Sequence, residues 1–330
     1  MKKNFFFNTL ILFFVSIFII IILLELGLRF LGFQPWSYVK HDLNEPITNQ
    51  YDSKIGWKPK EGDYIFPPFS ENGKYTKFTI SKDGSRFTGK INDDLKEKVV
   101  FVGGSFTQGW AVDDQETFTW YLQKKLKNIS IKNYGVGGYG TYQSLLLLEE
   151  ILKQDNDIKI VIYSYIRAHP SRNVGDASWL SHLNKFSRRG HLSLPYAALD
   201  KNGNLIRNLP TEYLKLPLRE YSALITRLEK KIMRIKLYSR YKDETSITQK
   251  IILEMNKLSK KKDIKFIFVN LDSVKNNLTA YIEFSKKNKI QFADCGYTEV
   301  TDEHRVENDG HPNYKLHKIY ADCIYDSVFK

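Results

Sequence analysis

Short apolar runs alternate with helical stretches through the last two thirds of this 330-residue chain. The apolar runs stand at 99–102, 129–133, 158–164, 265–270 and 291–294. Helical periodicity of apolar residues stands at 117–127, 142–153, 246–259, 274–288 and 314–328. Strands that are buried on both faces read as continuous apolar runs, and parallel strands need long crossover connections. The alternation therefore predicts an α/β fold with a five-stranded parallel sheet covered by helices on both faces.

A second constraint lies at the amino terminus, where residues 5–24 are apolar apart from three short polar side chains. Twenty helical residues rise roughly 30 Å, which matches the hydrocarbon core of a bilayer. Lys2 and Lys3 precede this segment and favour a cytoplasmic amino terminus. Residues 25–30 offer no small-residue cleavage pattern. We therefore expect residues 1–32 to be an uncleaved transmembrane anchor in the cytoplasmic (inner) membrane, with a single pass and the remaining chain outside.

The rest of the chain divides by composition. Residues 33–97 are rich in Gly, Pro, Asp and aromatic residues with short alternating stretches, which predicts a small β-rich lead-in. Residues 98–330 carry the alternating pattern. Within them, a long segment at about 170–241 separates the third and fourth strands and carries a basic helix near 220–240. Because ordinary connections in α/β units are much shorter, this segment is interpreted as an inserted cap.

Charge and cysteine content restrict the classes of partner. The formal net charge of +13 comes mostly from lysines in short runs, a pattern of solvated faces that does not favour nucleic acid. Anionic lipid headgroups or acidic glycans are the expected neighbours of an exported chain, and a lysine-rich surface without a partner is the alternative. Cys295 and Cys323 are able to pair in an oxidising compartment, although their separation in sequence leaves the pairing open. No Cys/His cluster predicts a metal site, and no cofactor is expected.

The first candidate site follows the first predicted strand, where two glycines, Gly103 and Gly104, precede Ser105. Glycines before a serine permit a sharp turn from strand to helix and a close approach of substrate. The amide of such a serine is free to stabilise an oxyanion. A turn without catalytic function has the same sequence, and no lysine follows that would indicate a phosphate-binding loop.

A glycine-rich loop follows the second predicted strand and contains the pattern G-x-G-x-x-G at Gly135, Gly137 and Gly140. This pattern is typical of dinucleotide binding when it follows the first strand of the unit and an acidic residue ends the next strand. Here it follows the second strand, and Ser164 stands near the end of the third. The loop is therefore not interpreted as a nicotinamide site.

The third stretch stands immediately before the last helix and contains Asp309, Gly310 and His311. A nucleophilic serine needs a base, and the base needs a carboxylate that fixes its tautomer. Asp309 and His311 provide both groups from one loop. His304, close by in sequence, is a second candidate base.

These three stretches, in this order within an α/β pattern, resemble the SGNH (GDSL-type) hydrolase superfamily from about residue 98 to the end of the chain. The anchor and lead-in are similar to those of membrane-anchored bacterial envelope members. The resemblance implies a flavodoxin-like three-layer sandwich. It also implies Ser105 as the nucleophile, Asp309 and His311 as the rest of a triad, and the backbone amides of Ser105 and Gly138 as oxyanion-hole donors. Gly138 is assigned by its distance of five residues from Asn133.

This chain departs from the family pattern at three places. Gly104 replaces the aspartate of Gly-Asp-Ser, and Asp309 precedes the histidine by two residues rather than three. After the third strand, Ala168 stands near the position of an oxyanion-hole asparagine, and the nearby His169, Arg172 and Asn173 are candidates for the missing donor.

The resemblance and the anchor together predict a serine-dependent ester hydrolase that removes acetyl or another short acyl group from an envelope glycan or lipid outside the membrane. A polysaccharide O-acetyltransferase with the same triad, supplied by a membrane partner that delivers acetyl groups, is one alternative. A lysophospholipase recruited to the membrane is another, and a non-catalytic glycan-binding relative is a third. The inserted segment is expected to select the substrate.

Overall fold

A computed structural model describes residues 2–37, 45–89, 95, 97–185, 192–274 and 278–330. Parts of the predicted lead-in, of the inserted segment and of the helix predicted at 274–288 lie outside these residues. The described helices are α1 Lys2–Phe30, α2 Ser105–Gln108, α3 Phe118–Lys125, α4 Thr141–Gln154, α5 His169–Asn173, α6 Ala177–Lys185, α7 Ala223–Tyr241, α8 Glu244–Lys260, α9 Leu278–Lys287 and α10 Tyr314–Ile324. The strands are β1 Asn49–Asp52, β2 Gly56–Pro59, β3 Gly62–Phe66, β4 Thr76–Ile80, β5 Lys98–Gly103, β6 Ser130–Gly135, β7 Ile158–Tyr165, β8 Leu194–Leu199, β9 Leu205–Thr211, β10 Lys265–Asn270 and β11 Gln291–Asp294.

The predicted five-stranded parallel sheet is confirmed. Its strands lie in the order β6-β5-β7-β10-β11, and every pairing within it is parallel. This is the second-first-third-fourth-fifth order of flavodoxin-like folds, in which the chain reverses its winding direction between β5 and β7. Ligands of such sheets bind at the carboxyl ends of the strands near that point, which here lies directly after Gly103.

The sheet separates two hydrophobic cores, because successive side chains of a strand point to opposite faces. In β5, Val100 and Val102 belong to one core and Val99 and Phe101 to the other. The first core is covered by α4 and α8, and the second by α3 and α10. Burial on both faces explains why the strands appear in the sequence as unbroken apolar runs.

The lead-in forms two antiparallel hairpins, β1–β2 and β3–β4. It joins the main sheet through Arg86, whose amide donates to the carbonyl of Asn133 in the edge strand β6. The long segment between β7 and α8 contains α5, α6, the antiparallel β8–β9 hairpin and the basic helix α7.

Two further features concern the ends of the chain. Helix α1 is long and apolar enough to cross a membrane, and its apolar stretch is not buried against the rest of the protein. A membrane anchor and a signal sequence both have these properties. Cys295 and Cys323 form a disulfide with a Cα–Cα distance of 5.6 Å. The disulfide joins the residue after β11 to α10 and so encloses the loop that carries Asp309 and His311.

Candidate active site

The turn after β5 presents Ser105 at the carboxyl edge of the sheet. Gly104 has extended backbone geometry, and the short helix α2 begins at Ser105 and is capped at its carboxyl end by Gly109, which has a φ of 75°. The helix lies very close to the neighbouring strand, since a Cβ at Gly135 would stand 2.3 Å from the amide nitrogen of Gln108. Glycine at position 135 therefore permits the contact that holds the serine turn against β6.

Ser105, His311 and Asp309 come together in a chain of two hydrogen bonds. His311 Nε2 lies 2.9 Å from Ser105 Oγ, and His311 Nδ1 lies 2.6 Å from Asp309 Oδ1. The same carboxylate oxygen accepts a hydrogen bond of 3.1 Å from the His311 amide, which fixes the turn between the two residues. With Nδ1 donating to Asp309, Nε2 faces the serine hydroxyl as an acceptor, the arrangement that general-base catalysis requires.

Trp110 supports the carboxylate, and sequence reasoning missed it. Its Nε1 donates to Asp309 Oδ2 at 3.2 Å, while its ring packs against Phe66 and Phe78 of the lead-in. Burial alone would raise the pKa of the Asp309 carboxyl, but the hydrogen bonds and charge of His311 and the hydrogen bond from Trp110 outweigh it and lower that pKa. The carboxylate thus stays ionised beside the imidazole, and the lead-in contributes to the site through one indole.

The glycine loop after β6 is tied to the serine helix. Gln108 Oε1 accepts a hydrogen bond of 2.8 Å from the Gly137 amide, and the next residue, Gly138, has a φ of 83° that favours glycine. Within the described residues, neither the Ser105 amide nor the Gly138 amide has a hydrogen-bond acceptor. Two adjacent loops therefore carry amide donors that remain available to a ligand.

Asn173, one of the three candidates for the missing side-chain donor, is fully engaged elsewhere. Its Oδ1 accepts from the Tyr142 amide at 2.9 Å, and this backbone donor fixes the orientation of the side-chain amide. Its Nδ2 donates to the hydroxyls of Thr141 and Thr248 at 2.9 and 2.8 Å. Asn173 joins α4, α5 and α8 and has no proton left for an oxyanion.

His169, unlike Asn173, keeps one nitrogen without a hydrogen-bond partner among the described residues. The hydrogen bonds that link Asn173, Thr141, Tyr163 and His169 indicate that this nitrogen carries a proton. The Thr141 hydroxyl accepts from Asn173, and among the described residues its own proton has no acceptor other than the Tyr163 hydroxyl at 2.7 Å, so we assign the proton to that contact. The Tyr163 proton then goes to His169 Nδ1, also at 2.7 Å. Burial, together with the charge of Arg172, lowers the pKa of His169 well below its usual value, so the ring is neutral. Its single proton is therefore on Nε2, which is buried and has no partner among the described residues.

The unpartnered Nε2 of His169 lies beside Gly104, the residue that precedes Ser105. A Cβ at Gly104 would stand 2.8 Å from this nitrogen and 3.5 Å from Arg172 Nη1. Arg172 itself donates to the Tyr139 carbonyl at 3.0 Å and stacks on the Trp179 ring. The imidazole thus fills the space that an aspartate side chain at position 104 would need, which gives a physical reason for Gly104.

His304, the second candidate base, takes no part in the hydrogen bonds between Ser105, His311 and Asp309. His304 stands in a short turn where its Nδ1 lies 3.1 Å from the Thr301 hydroxyl and its ring packs near Tyr297. The base position is occupied by His311. In the part of the chain that the structure describes, no group of three His, Cys, Asp or Glu side chains is arranged to hold a metal ion.

Comparisons with known proteins give similarity in structure only. No protein-family model and no curated protein sequence matches the chain. Among solved structures, a lipolytic protein of the G-D-S-L family from Veillonella parvula aligns with a TM-score of 0.42 and 10% identity, over 71% of this chain and 99% of that one. A psychrotrophic esterase from Pseudoalteromonas sp. aligns with a TM-score of 0.39 and 12% identity, over 71% and 97%.

An acetyl xylan esterase from Geobacillus stearothermophilus is also similar, with a TM-score of 0.39 and 13% identity over 72% of this chain and 96% of that one. Likeness at this level leaves the chemistry of the present chain to be argued from its own residues.

Proposed function

We propose that this chain is an SGNH-type serine esterase that hydrolyses short acyl esters. The observation that carries the proposal is the continuous hydrogen-bonded path from Ser105 Oγ through His311 to Asp309, with distances of 2.9 and 2.6 Å. The path lies at the carboxyl edge of a flavodoxin-like sheet, where such folds bind ligands.

The arrangement supports the two steps of acyl transfer through a covalent intermediate. Ser105 Oγ attacks the ester carbonyl while His311 Nε2 takes its proton, and Asp309 stabilises the imidazolium that forms. His311 then returns the proton to the departing alkoxide, which leaves as an alcohol. Water attacks the acyl-enzyme by the same route in reverse and releases the acid, so that Ser105 and His311 regain their starting protonation.

Three donors are assigned to the oxyanion. The Ser105 and Gly138 amides have no acceptor within the described residues, and His169 Nε2 is a buried donor beside Gly104. In this assignment His169 takes the part of the asparagine that the family pattern places after the third strand. Asn173 acts as a positioning residue, because it fixes the direction of the Thr141 and Tyr163 hydroxyls.

The walls beside Gly138 favour a short acyl group such as acetyl. A Cβ at Gly138 would stand 3.0 Å from Trp57 Cζ2 and 3.4 Å from Trp179 Cζ2. Trp57 is buried and donates to the Gly137 carbonyl, so this indole is fixed in place. Two indole rings next to an oxyanion amide restrict the space that a long acyl chain would need.

The expected location is the outer side of the cytoplasmic membrane, with α1 as the anchor. The Cys295–Cys323 disulfide supports this placement, because disulfides persist mainly in oxidising compartments. An acylated envelope glycan or lipid is then within reach of a tethered site.

The full-length chain in detergent micelles provides a direct test of the proposal. We expect a fluorophosphonate to label Ser105 covalently, and p-nitrophenyl acetate to be hydrolysed with a kcat/KM at least about tenfold above that of the octanoate ester, a discrimination of the size that pocket shape supplies. Release of acetate from an acetylated glycan indicates hydrolysis. If a sugar acceptor is added and becomes acetylated, the protein is a transferase. Labelling at another residue, or a preference for octanoate, would contradict the proposal.

His169→Leu tests the third donor. Removing one oxyanion-hole donor costs about 10²–10³ in kcat, so we expect a loss of that size with KM nearly unchanged. His169→Gln keeps an N–H donor and should recover part of the loss. Tyr163→Phe leaves His169 in place but removes the hydroxyl that fixes its tautomer, and an intermediate loss is expected. Equal activity of the Leu and Gln variants would show that His169 acts through packing alone.

A further inference from the structure

Helix α7, in the inserted segment, is docked to the end of the apolar helix α1 by one carboxylate. Glu25 is the first charged residue after the apolar stretch of α1, and it accepts hydrogen bonds from the amides of Ala223 and Leu224 and from the Ser222 hydroxyl, at 2.8–3.0 Å. Arg29 adds a hydrogen bond of 2.7 Å to the Tyr221 carbonyl. The amino terminus of α7 is therefore held where α1 leaves its apolar stretch, which for a membrane anchor is the level of the lipid headgroups.

The face of α7 that points away from the protein carries a stripe of exposed apolar residues. The helix buries Thr226, Glu229, Met233 and Leu237 against the domain. The opposite face carries Leu228, Ile232, Ile235 and Tyr238, all exposed. These four residues are spaced by four, three and three positions, which places them on one stripe of a helix.

This stripe is flanked by uncompensated positive charge. The helix contains six basic residues, and its one acidic residue, Glu229, is buried beside Arg219. Within the described residues, Lys231, Arg234 and Lys236 form no ion pair. Partial burial, and then the nearby cations Lys185 and Arg227, lower the pKa of Lys230. The face thus combines an apolar stripe with cations that lack counter-charges.

We propose that the exposed face of α7 lies on the anionic lipid surface of the membrane that holds α1. A lipid interface accommodates both parts of the face, because acyl chains cover the apolar stripe while anionic headgroups neutralise the lysines and arginines. An acidic glycan would neutralise the basic residues but would leave the apolar stripe exposed to water. The proposal rests on the membrane anchoring of the proposed function and is independent of the esterase chemistry.

The consequence for the enzyme is a fixed orientation. With α1 and α7 both attached to the membrane, the inserted segment and the domain that it covers are held by two elements rather than by a single flexible tether. The site would then face one direction relative to the bilayer, which favours substrates at a constant distance from the lipid surface.

The test uses the full-length chain reconstituted into phosphatidylcholine vesicles with and without phosphatidylglycerol. Both native cysteines form the disulfide, so a single introduced cysteine provides a specific labelling site. An environment-sensitive fluorophore is attached to Ile235→Cys or, as a matched control, to Leu209→Cys in β9; the native side chains are 67% and 76% exposed. Lipids with nitroxide-bearing acyl chains quench only fluorophores that enter the bilayer. We expect several-fold quenching at position 235, enhanced by phosphatidylglycerol, and none at position 209.

Neutralising Lys231, Arg234 and Lys236 together to Gln keeps good helix formers and removes the attraction. A basic residue near an anionic surface gives roughly a fivefold preference for the bound state, so the ratio of bound to free α7 should fall by about a hundredfold, with quenching lost. Resistance to carbonate extraction shows separately that α1 remains inserted, and p-nitrophenyl acetate hydrolysis reports the esterase activity. Equal quenching at positions 235 and 209, or a shielded label at 235 that lipid does not quench, as under a second protein chain, would overturn the proposal.

Discussion

Replacing Ser105 by alanine should lower kcat/KM for p-nitrophenyl acetate by about a thousandfold or more. In the proposed mechanism this hydroxyl forms the acyl-enzyme, and among the described residues it is the hydrogen-bond partner of His311 Nε2, at 2.9 Å. His311→Ala should cost about as much. The double variant should be no worse than either single one, because the members of a triad act as a unit. Steady-state kinetics of the folded full-length chain, with circular dichroism as the check on folding, measures each effect.

Ser164→Ala is the matched control for this prediction. Ser164 is also buried and stands near the carboxyl end of β7, beside Gly103, but its hydroxyl has no hydrogen-bond partner among the described residues. We expect its activity to remain close to that of the native chain. If Ser105→Ala retains activity comparable with that of Ser164→Ala, the serine mechanism is wrong. If instead the folded native chain shows no turnover, a glycan-binding function becomes the better explanation of the fold.

The sheet could be predicted from sequence because its strands are buried on both faces and leave uninterrupted apolar runs. The run at 99–102 and the strand Lys98–Gly103 differ by one residue at each end. The carboxyl-terminal helix was less well defined. Apolar residues continue at helical spacing to residue 328, whereas α10 ends at Ile324 and a π-helical turn, Tyr325–Phe329, continues it. Periodicity reports which residues face the core, and it does not distinguish an α-helical turn from a π-helical one.

The same distinction applies to the site. Ser105, Asp309 and His311 are carried by short loop segments whose glycines and spacing are visible in the sequence. Trp110 could not be found in that way, because its bond to Asp309 joins residues 199 positions apart. The choice between His169 and Asn173 also needed the structure, because it depends on which side chain has a nitrogen without a hydrogen-bond partner. Sequence therefore identified the residues of the proposed triad, but the groups that orient them depend on long-range contacts.

Arg86 makes several such long-range contacts within the buried part of the protein. Its side chain is 1% exposed and lies over the Phe78 ring, 3.7 Å from its centroid. The guanidinium pairs with Asp114 at 2.9 Å and donates to backbone carbonyls, among them those of Gly109 and Val112 at 2.8 Å. One buried cation thus joins the lead-in to the loop that follows the serine helix.

Arg86→Met should destabilise the fold severely. The substitution leaves Asp114 as a buried charge without its partner, and breaking a buried ion pair in this way costs about 3–5 kcal/mol. In a chain of this size each kcal/mol corresponds to roughly 2–4 °C, so thermal unfolding should shift down by on the order of 10 °C. Arg86→Lys keeps the charge but cannot match the planar set of donors, and an intermediate shift is expected.

Arg207→Met is the control, because Arg207 forms a partly exposed ion pair with Glu149 at 2.6 Å, a type of contact that contributes about 0–1 kcal/mol. Its unfolding temperature should change little. Below the unfolding transition, Arg86→Met should also lose esterase activity. Arg86 donates to the carbonyl of Gly109, and Gly109 caps the short helix that begins at Ser105. If Arg86→Met matches Arg207→Met in stability and activity, the lead-in folds independently of the rest of the chain. The expected joint loss would instead make it a structural part of the catalytic domain.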